Sequence, residues 1–359
     1  MLNQIKSFFE KLSGADEKDA YFLMALAVKY LSKPELLKEM EAKADSNDPN
    51  AFDLPEGMAL DFCFEKHILK TRICPFCGAK AIIKFGKKDH KQRFRCKDCK
   101  KIVTRSTGTI MSNSHQSEET WELVIKDTLD NVSIAKTAEK TDLSEHTIFN
   151  MRHKILMGME QLGDLYPVVF SNVTEIDDTF VQESRKGTKC VDRKPRKRGA
   201  PASKPGLSEE QVCICTGVER NQGPVMFKTV NRATPNKEEV KEVFEGHIAD
   251  DAIVLTDGCK SYFVLSETMN VVLINAKKDN DSSSHLNNVN SSHSYFQSVY
   301  RHYRGVATKY INRYNAMLSL TYRSPKELFG YIVANLCSIC NNVGTFSNLD
   351  VRKRRLVEI

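Results

Sequence analysis

The stretch Val173 to Val181, VTEIDDTFV, is β-branched or aromatic toward both ends yet carries three carboxylates in its middle. Read as a strand, it puts Glu175, Asp177 and Thr179 on one face and Ile176, Asp178 and Phe180 on the other. A charge at mid-strand needs a reason, because a carboxylate placed in a sheet must be paired, hydrogen-bonded or used. Eighty residues after Asp177, the apolar run Ile253 to Leu255 ends in Thr256, Asp257 and Gly258, which sets a second carboxylate at a strand terminus beside a turn. Further on comes HLNNVNSSHSYFQSVYRHY (285–303), where Asn290, His293, Ser294 and Gln297 share one helical face.

Two carboxylates from separate strands and an oxygen ligand from a helix form a set that can hold two magnesium ions, with hard oxygen donors throughout. Such a pair activates a water or a 3′-hydroxyl and stabilises the leaving oxygen of an in-line phosphoryl displacement. The order of strand Asp, strand-end Asp and helix polar group suggests a ribonuclease-H-like metal site. Asp178 is the alternative first ligand, and a third carboxylate would be Glu267 or Asp279, around which no motif is built.

Outward from this region, the strand-like runs are Val173 to Val181, Gln211 to Glu219, Val225 to Val230, Ile253 to Thr256 and Val271 to Ile274. Upstream, SIAKTAEKTDLSEHTIFNMRHKIL (133–156) divides into a short helix, a turn at Asp142 and Leu143, and a second helix that Ser144 can N-cap. This is a helix-turn-helix outline in which the second helix would present Thr147, Asn150, Arg152 and Lys154, with His146 and His153, to base edges or phosphates.

Earlier still, Cys74 and Cys77 form one C-x2-C pair and Cys96 and Cys99 another. Two such knuckles complete a four-sulfur shell with no open position, so the expected zinc is structural. Basic residues crowd the ribbon: Lys70 to Arg105 holds thirteen Lys or Arg against Asp89 and Asp98, among them Lys87, Lys88, Arg93 and Arg95. A second basic block, Arg185 to Lys204, contains Arg196, Lys197 and Arg198. Concentrated positive charge of this kind is the footprint of phosphate backbones, and it is local, since residues 1–69 carry eight basic against thirteen acidic residues. Cys337 and Cys340 share the C-x2-C spacing but lie in an apolar helical neighbourhood that favours core packing.

The 359 residues and 41% apolar content support two or three folded units. A collagen, a disulfide scaffold and a disordered chain are excluded, and no window nears the roughly 18 apolar residues of a membrane span. With no signal-peptide pattern, the eleven cysteines are expected to be thiols or metal ligands in a reducing cytoplasm.

The strings EIDDT, LTDG, HLNNVNSSHS and GVATKYINRY, following CPFCG and RCKDC and the RKRG of Arg196 to Gly199, resemble a DDE-type bacterial insertion-sequence transposase over about residues 60–330. The resemblance is to the group with an N-terminal zinc ribbon and an Asp-Asp-Asn triad. It implies catalytic and magnesium-binding (or manganese-binding) Asp177, Asp257 and Asn290. It also implies double-stranded DNA as partner, both element ends and target, with a homodimer or larger synapse on chromosomal DNA in a bacterial cytoplasm.

The expected fold is multidomain α+β. It comprises a helical N-terminal region (1–60), a zinc ribbon (61–112), a helix-turn-helix domain (113–165), a ribonuclease-H-like α/β catalytic domain with a mixed sheet (166–345) and a basic tail (346–359). One departure from the family is Gln297, seven positions after Asn290, where a basic residue that contacts phosphate is common. Arg301 and Arg304, one and two helical turns on, are the expected substitutes. The alternative reading is a catalytically decayed zinc-ribbon DNA-binding protein.

Overall fold

The carboxylate-bearing strand lies at the centre of a five-stranded mixed sheet in the computed structural model. The structure describes residues 72–88, 91–104, 106–107, 109–165, 167–187, 202–203, 206–274 and 285–322. The expected N-terminal helices, Arg196, Lys197 and Arg198, Asp279, the Cys337–Cys340 pair and the basic tail lie outside the described residues. Described residues up to Ile125 fall in one unit and those from Lys126 in a second.

The first unit contains a three-stranded antiparallel sheet of β1 (Ile82–Lys88), β2 (Lys91–Cys96) and β3 (Ile102–Val103). Its small core is Cys74, Ile82, Phe94, Cys96 and Val103, so two of its five core side chains are thiols. A core of that size does not hold a fold alone, which is the situation in which a structural metal is used. Between Lys84 and Lys87 the β1–β2 register shifts, at Gly86 with φ +64°, a conformation that glycine adopts without strain.

Helix α1 (Glu118–Leu129) leads into α2 (Ile134–Thr141) and α3 (Glu145–Leu165). The Ser133 hydroxyl caps α2 by accepting from Lys136 N, and Asp142 closes it in the left-handed region at φ 54°, taking the place usually held by glycine. Ser144 then accepts from Thr147 N at the start of α3, as its position in the sequence suggests. Inside the pair, the Asp127 carboxylate accepts from the Thr137 hydroxyl at 2.8 Å and from Lys140 Nζ at 2.7 Å.

The large sheet runs in the order β6-β5-β4-β7-β8, with β4 (Val173–Gln182) at the centre, β5 (Gln211–Glu219) and β6 (Val225–Arg232) on one side, and β7 (Ile253–Thr256) and β8 (Asn270–Leu273) on the other. The β4–β5 and β5–β6 pairs are antiparallel, and β4–β7 and β7–β8 are parallel, so the sheet is mixed. One face is covered by α4 (Lys237–Phe244) and a 3-10 segment (Lys260–Glu267), over a core of Phe170, Ile176, Cys213, Val240, Phe244, Val254, Tyr262 and Leu265. Gly217 is obligatory there, because a Cβ would sit 2.7 Å from the Phe170 ring. Helices α5 (Asn287–His302) and α6 (Ile311–Thr321) also belong to this unit. Asn315 of α6 donates to Thr229 Oγ1, and Ser319 accepts from Phe227 N, which fastens α6 to β6.

Helix α3 packs against both α2 and α6, and part of its polar face expected to point outward is buried. Asn150, Arg152 and Lys154 are buried, whereas His146 is exposed and Thr147 half-buried. Arg152 donates to Val132 O at 2.7 Å, and His153 lies between Phe149 and Tyr310 with ring centroids at 4.2 and 4.4 Å. Burial beside Arg313, Arg152 and Lys309 holds the His153 imidazole down at about 3, so it is neutral. At 21 residues, α3 has enough length to supply a buried interface, and the polar spacing alone does not say which of its faces a distant helix covers.

Candidate metal centres and the carboxylate face

The ribbon thiols form the more compact of two sites. Cys74 Sγ lies 3.6 Å from Cys99 Sγ and Cys77 Sγ lies 3.7 Å from Cys96 Sγ, with all four sulfurs within 4.8 Å of one another. A tetrahedron with Zn–S bonds of about 2.3 Å has edges of about 3.8 Å, so the quartet fits zinc. The knuckle forms because Gly78, at φ +72°, lets the chain turn while Phe76 N reaches Cys74 Sγ at 3.4 Å. Burial pushes the Cys96 thiol up, but the Cys99 and Asp98 backbone N–H groups and Cys77 outweigh it and bring Cys96 to about 7. Around the site Lys87 and Lys88 are exposed, while Arg93 and Arg95 are half-buried with their guanidinium groups 5.6 and 5.1 Å from the Phe85 ring centre.

The second site is assembled by sheet register. In the parallel β4–β7 pair Val173 faces Ile253, Thr174 faces Val254 and Glu175 faces Leu255. Two more steps bring Asp257 level with Asp177, where β7 has ended and β4 continues to Gln182. The position is the carboxyl end of a central parallel strand, where open α/β sheets leave room for ligands. Asp257 is exposed and accepts from Cys259 N at 3.0 Å.

Helix α5 runs along β4 on the face that carries Asp177. The Glu175 carboxylate, fully buried, accepts from Asn288 N (2.8 Å), Asn288 Nδ2 (2.8 Å) and Val289 N (3.0 Å), and pairs with Arg220 Nε at 2.7 Å. It therefore satisfies otherwise unpaired donors of the helix and meets the positive end of its dipole. Two residues along β4, Asp177 Oδ2 lies 3.9 Å from His293 Nδ1. Two or three residues further, Gln297 Nε2 donates to Thr179 Oγ1 (3.1 Å) and Phe180 O (2.9 Å). The steps match, since two strand residues advance about 6.7 Å and four helix residues about 6 Å.

Asp177 and Asp178 face opposite ways. Asp177 Oδ1 accepts from Asp178 N, whereas the Asp178 carboxylate is turned to the other face, where it accepts from the Tyr262 hydroxyl and, at 3.3 Å, from Cys215 Sγ. Cys213 completes that cluster. Burial first, then the charges of Asp257 and Asp178, push the Asp177 carboxyl up to about 7 against the hydrogen bond from Asp178 N. A divalent cation would relieve both desolvation and repulsion, so the donor set fits such an ion. The site is open: among the described residues, only the cysteine quartet and the Asp178 cluster bring three His, Cys, Asp or Glu ligand atoms within 4.8 Å.

Asn290 is exposed on α5, and its side chain makes no hydrogen bond among the described residues. Arg301 is exposed near the end of α5, while Arg304 has left the helix at φ 53° instead of lying two turns along it. Glu267 is exposed at the end of the 3-10 segment. Sequence spacing places His293 on the shared helical face but assigns it no role, and it gives no signal of the part Glu175 plays in seating the helix.

Residues 170–324, from just before β4 to just after α6, match the ISXO2-like transposase domain. A relative from Halobacterium salinarum, described as an uncharacterized protein in transposable element ISH50, is 25% identical over 196 residues, which is 54% of this chain and 64% of the relative. The chain thus spans less than two thirds of that relative. Among solved structures, a pre-cleavage Mos1 transpososome (11% identity, 89% of this chain and 98% of that one, TM-score 0.20) is similar. So is the Mos1 mariner paired-end complex with Mn (11% identity, 90% and 95%, TM-score 0.24). At those scores neither carries weight for the fold. The family match spans β4 to α6, and with the transposable-element relative it marks residues 170–324 as similar to an insertion-sequence transposase domain of the DDE type.

Proposed function

We propose that the chain is a transposase that holds the terminal inverted repeats of an insertion sequence and catalyses metal-dependent strand cleavage and strand transfer, with Asp177, Asp257 and α5 forming the catalytic centre of a ribonuclease-H-like domain. The observation that carries this reading is the parallel register that levels Asp257 with Asp177 beneath α5. The strand order β6-β5-β4-β7-β8, with antiparallel pairs on one side of β4 and parallel pairs on the other, supports the ribonuclease-H-like assignment.

When bound, magnesium or manganese supplies Lewis-acid stabilisation of the attacking and leaving oxygens. The residues themselves do the positioning. Asp177, half-buried, and Asp257, exposed, present carboxylate oxygens from adjacent strands. Asn290 offers an amide oxygen from α5. Glu175 seats the start of that helix, and Gln297 ties its middle to β4. Asp177 is favoured over Asp178 because Asp178 is engaged by Tyr262 and Cys215 on the opposite face. Zinc in the Cys74, Cys77, Cys96 and Cys99 quartet would hold the basic ribbon, whose exposed Lys87 and Lys88 suit DNA phosphates. Exposed Arg301 and Arg304 would serve flanking phosphates.

The test is cleavage and joining of labelled duplex carrying the element's inverted repeat, with magnesium or manganese, for wild type, Asp177→Ala and Asp257→Ala. Metal-dependent joined products that both substitutions abolish are expected. A second reading, a DNA-binding protein that has lost catalysis, is favoured by Gln297, whose amide is occupied with β4 where a basic side chain would reach phosphate. Specific binding without product would select it.

A further inference from the structure

We propose that His293 is a metal ligand at the Asp177 site, giving it one imidazole nitrogen among oxygen donors. This rests on the reading of Asp177 as a metal-binding carboxylate. His293 Nδ1 lies 3.9 Å from Asp177 Oδ2, too far for a hydrogen bond. Two atoms bound to one ion at about 2.0–2.2 Å lie no more than about 4.4 Å apart, so this gap is one that a shared ion spans. The ring is held there by the match of helix and strand advance: Glu175 grips α5 at Asn288 and Val289, Gln297 grips β4 at Thr179 and Phe180, and His293 lies between the two grips. Neither ring nitrogen makes a hydrogen bond among the described residues, and Nε2 is buried without a partner. A half-buried imidazole between two points where its helix is fixed to β4, without a hydrogen bond among the described residues and turned toward a carboxylate, is placed as a ligand is placed. Asn290, three residues earlier, is exposed and lies about 4.5 Å back along the helix axis, nearer the level of Glu175. The nitrogen ligand tunes the site: carboxylates and amide oxygens suit magnesium and manganese alike, while imidazole favours the later transition ions and leaves magnesium the weaker occupant.

The experiment uses the full chain with its cysteine quartet loaded with zinc and manganese as the probe. Electron spin-echo modulation of bound Mn2+ reports a directly coordinated imidazole nitrogen without any turnover. The wild type is expected to show nitrogen modulation. His293→Gln is expected to lose it while keeping the far-ultraviolet circular dichroism of the fold, and to bind Mn2+ at least about tenfold more weakly, the scale on which the surroundings of a metal site act. Mn2+ affinity should fall more than Mg2+ affinity. Asp177→Ala should abolish the Mn2+ signal. Mn2+ that depends on Asp177 but shows no nitrogen modulation, or modulation that persists in His293→Gln, overturns the assignment of His293 and leaves the catalytic site standing. Mn2+ binding unchanged by Asp177→Ala, or no Mn2+ binding at all, overturns both.

Discussion

The cysteine quartet and the carboxylate site meet the same problem, several like ligands converging on one point, with opposite solutions. The four sulfurs come from two short turns within 26 residues and already converge within 4.8 Å, two of their separations matching tetrahedral edges, so a bound ion would have no position left for anything else. Asp177, Asp257 and α5 come from positions up to about 116 residues apart, and their ligand atoms stay apart, one of them open to water. A closed shell suits a cation that remains for the life of the fold, whereas an open one suits an ion that must also touch a substrate. The cost differs too. A cation in the quartet would substitute for a hydrophobic core, while the carboxylates depend on a core and a sheet built for other reasons.

Three experiments sharpen or break that contrast. The largest effect is expected in the ribbon. Cys96→Ser should remove the zinc and with it the ordered ribbon, since structural zinc contributes on the order of 10 kcal/mol to small domains of this kind. Zinc content per chain and amide dispersion in a two-dimensional spectrum would record both losses, and a ribbon that keeps its dispersion without zinc would erase the distinction.

A smaller effect is expected where the carboxylate site is held by the protein alone. Glu175→Ala removes the buried carboxylate that accepts from Arg220 Nε and from the Asn288 and Val289 amides, and should destabilise the second unit by about 3–5 kcal/mol in denaturant. A loss under about 1 kcal/mol would mean that α5 is seated by its apolar side chains and not by this carboxylate.

The smallest is a pH effect at Asp177. Its folded value of about 7, against 3.8 for the unperturbed side chain, means that the folded protein keeps a proton that the unfolded chain releases between about pH 4 and pH 7. Without divalent ions, the contribution of Asp177 to stability therefore falls as pH rises through that window. His293, lowered to about 4 by burial, acts in the other direction between about pH 4 and 6.5. The difference in Tm between wild type and Asp177→Asn cancels the histidine, and should shrink when Mg2+ is added. A difference that is flat with pH would show that the site carries no strain to relieve.

The quartet was legible because its ligands are neighbours in sequence and their spacing carries the geometry. The strands were legible for a similar reason: Gln211 to Glu219 and Ile253 to Thr256 coincide with β5 and β7, and the alternation in VTEIDDTFV correctly separates the Asp177 face from the Asp178 face. Reading stopped where a long-range partner decides the outcome. Lys237–Phe244 is a helix inside a strand-dominated segment, fixed by an Asn236 capping box that a search for β-runs passes over. Asn150, Arg152 and Lys154 look solvent-facing until α3 is known to be packed between its neighbours in the fold, α2 and α6 among them. The uses of Glu175 and His293 depend on how far α5 slides along β4, which is a property of packing and not of spacing.

The parallel pairing of β4 with β7 has a consequence for how such a chain can change over generations. The pairing of Val173–Glu175 with Ile253–Leu255 sets Asp257 level with Asp177, so a change of length outside these two strands that preserves their register leaves the pair of carboxylates level. A single deletion within Ile253–Thr256 has no such freedom, since it shifts Asp257 by one pleat and turns its side chain to the opposite face. The four residues of β7 are thereby held to a fixed length by the pair of carboxylates they align.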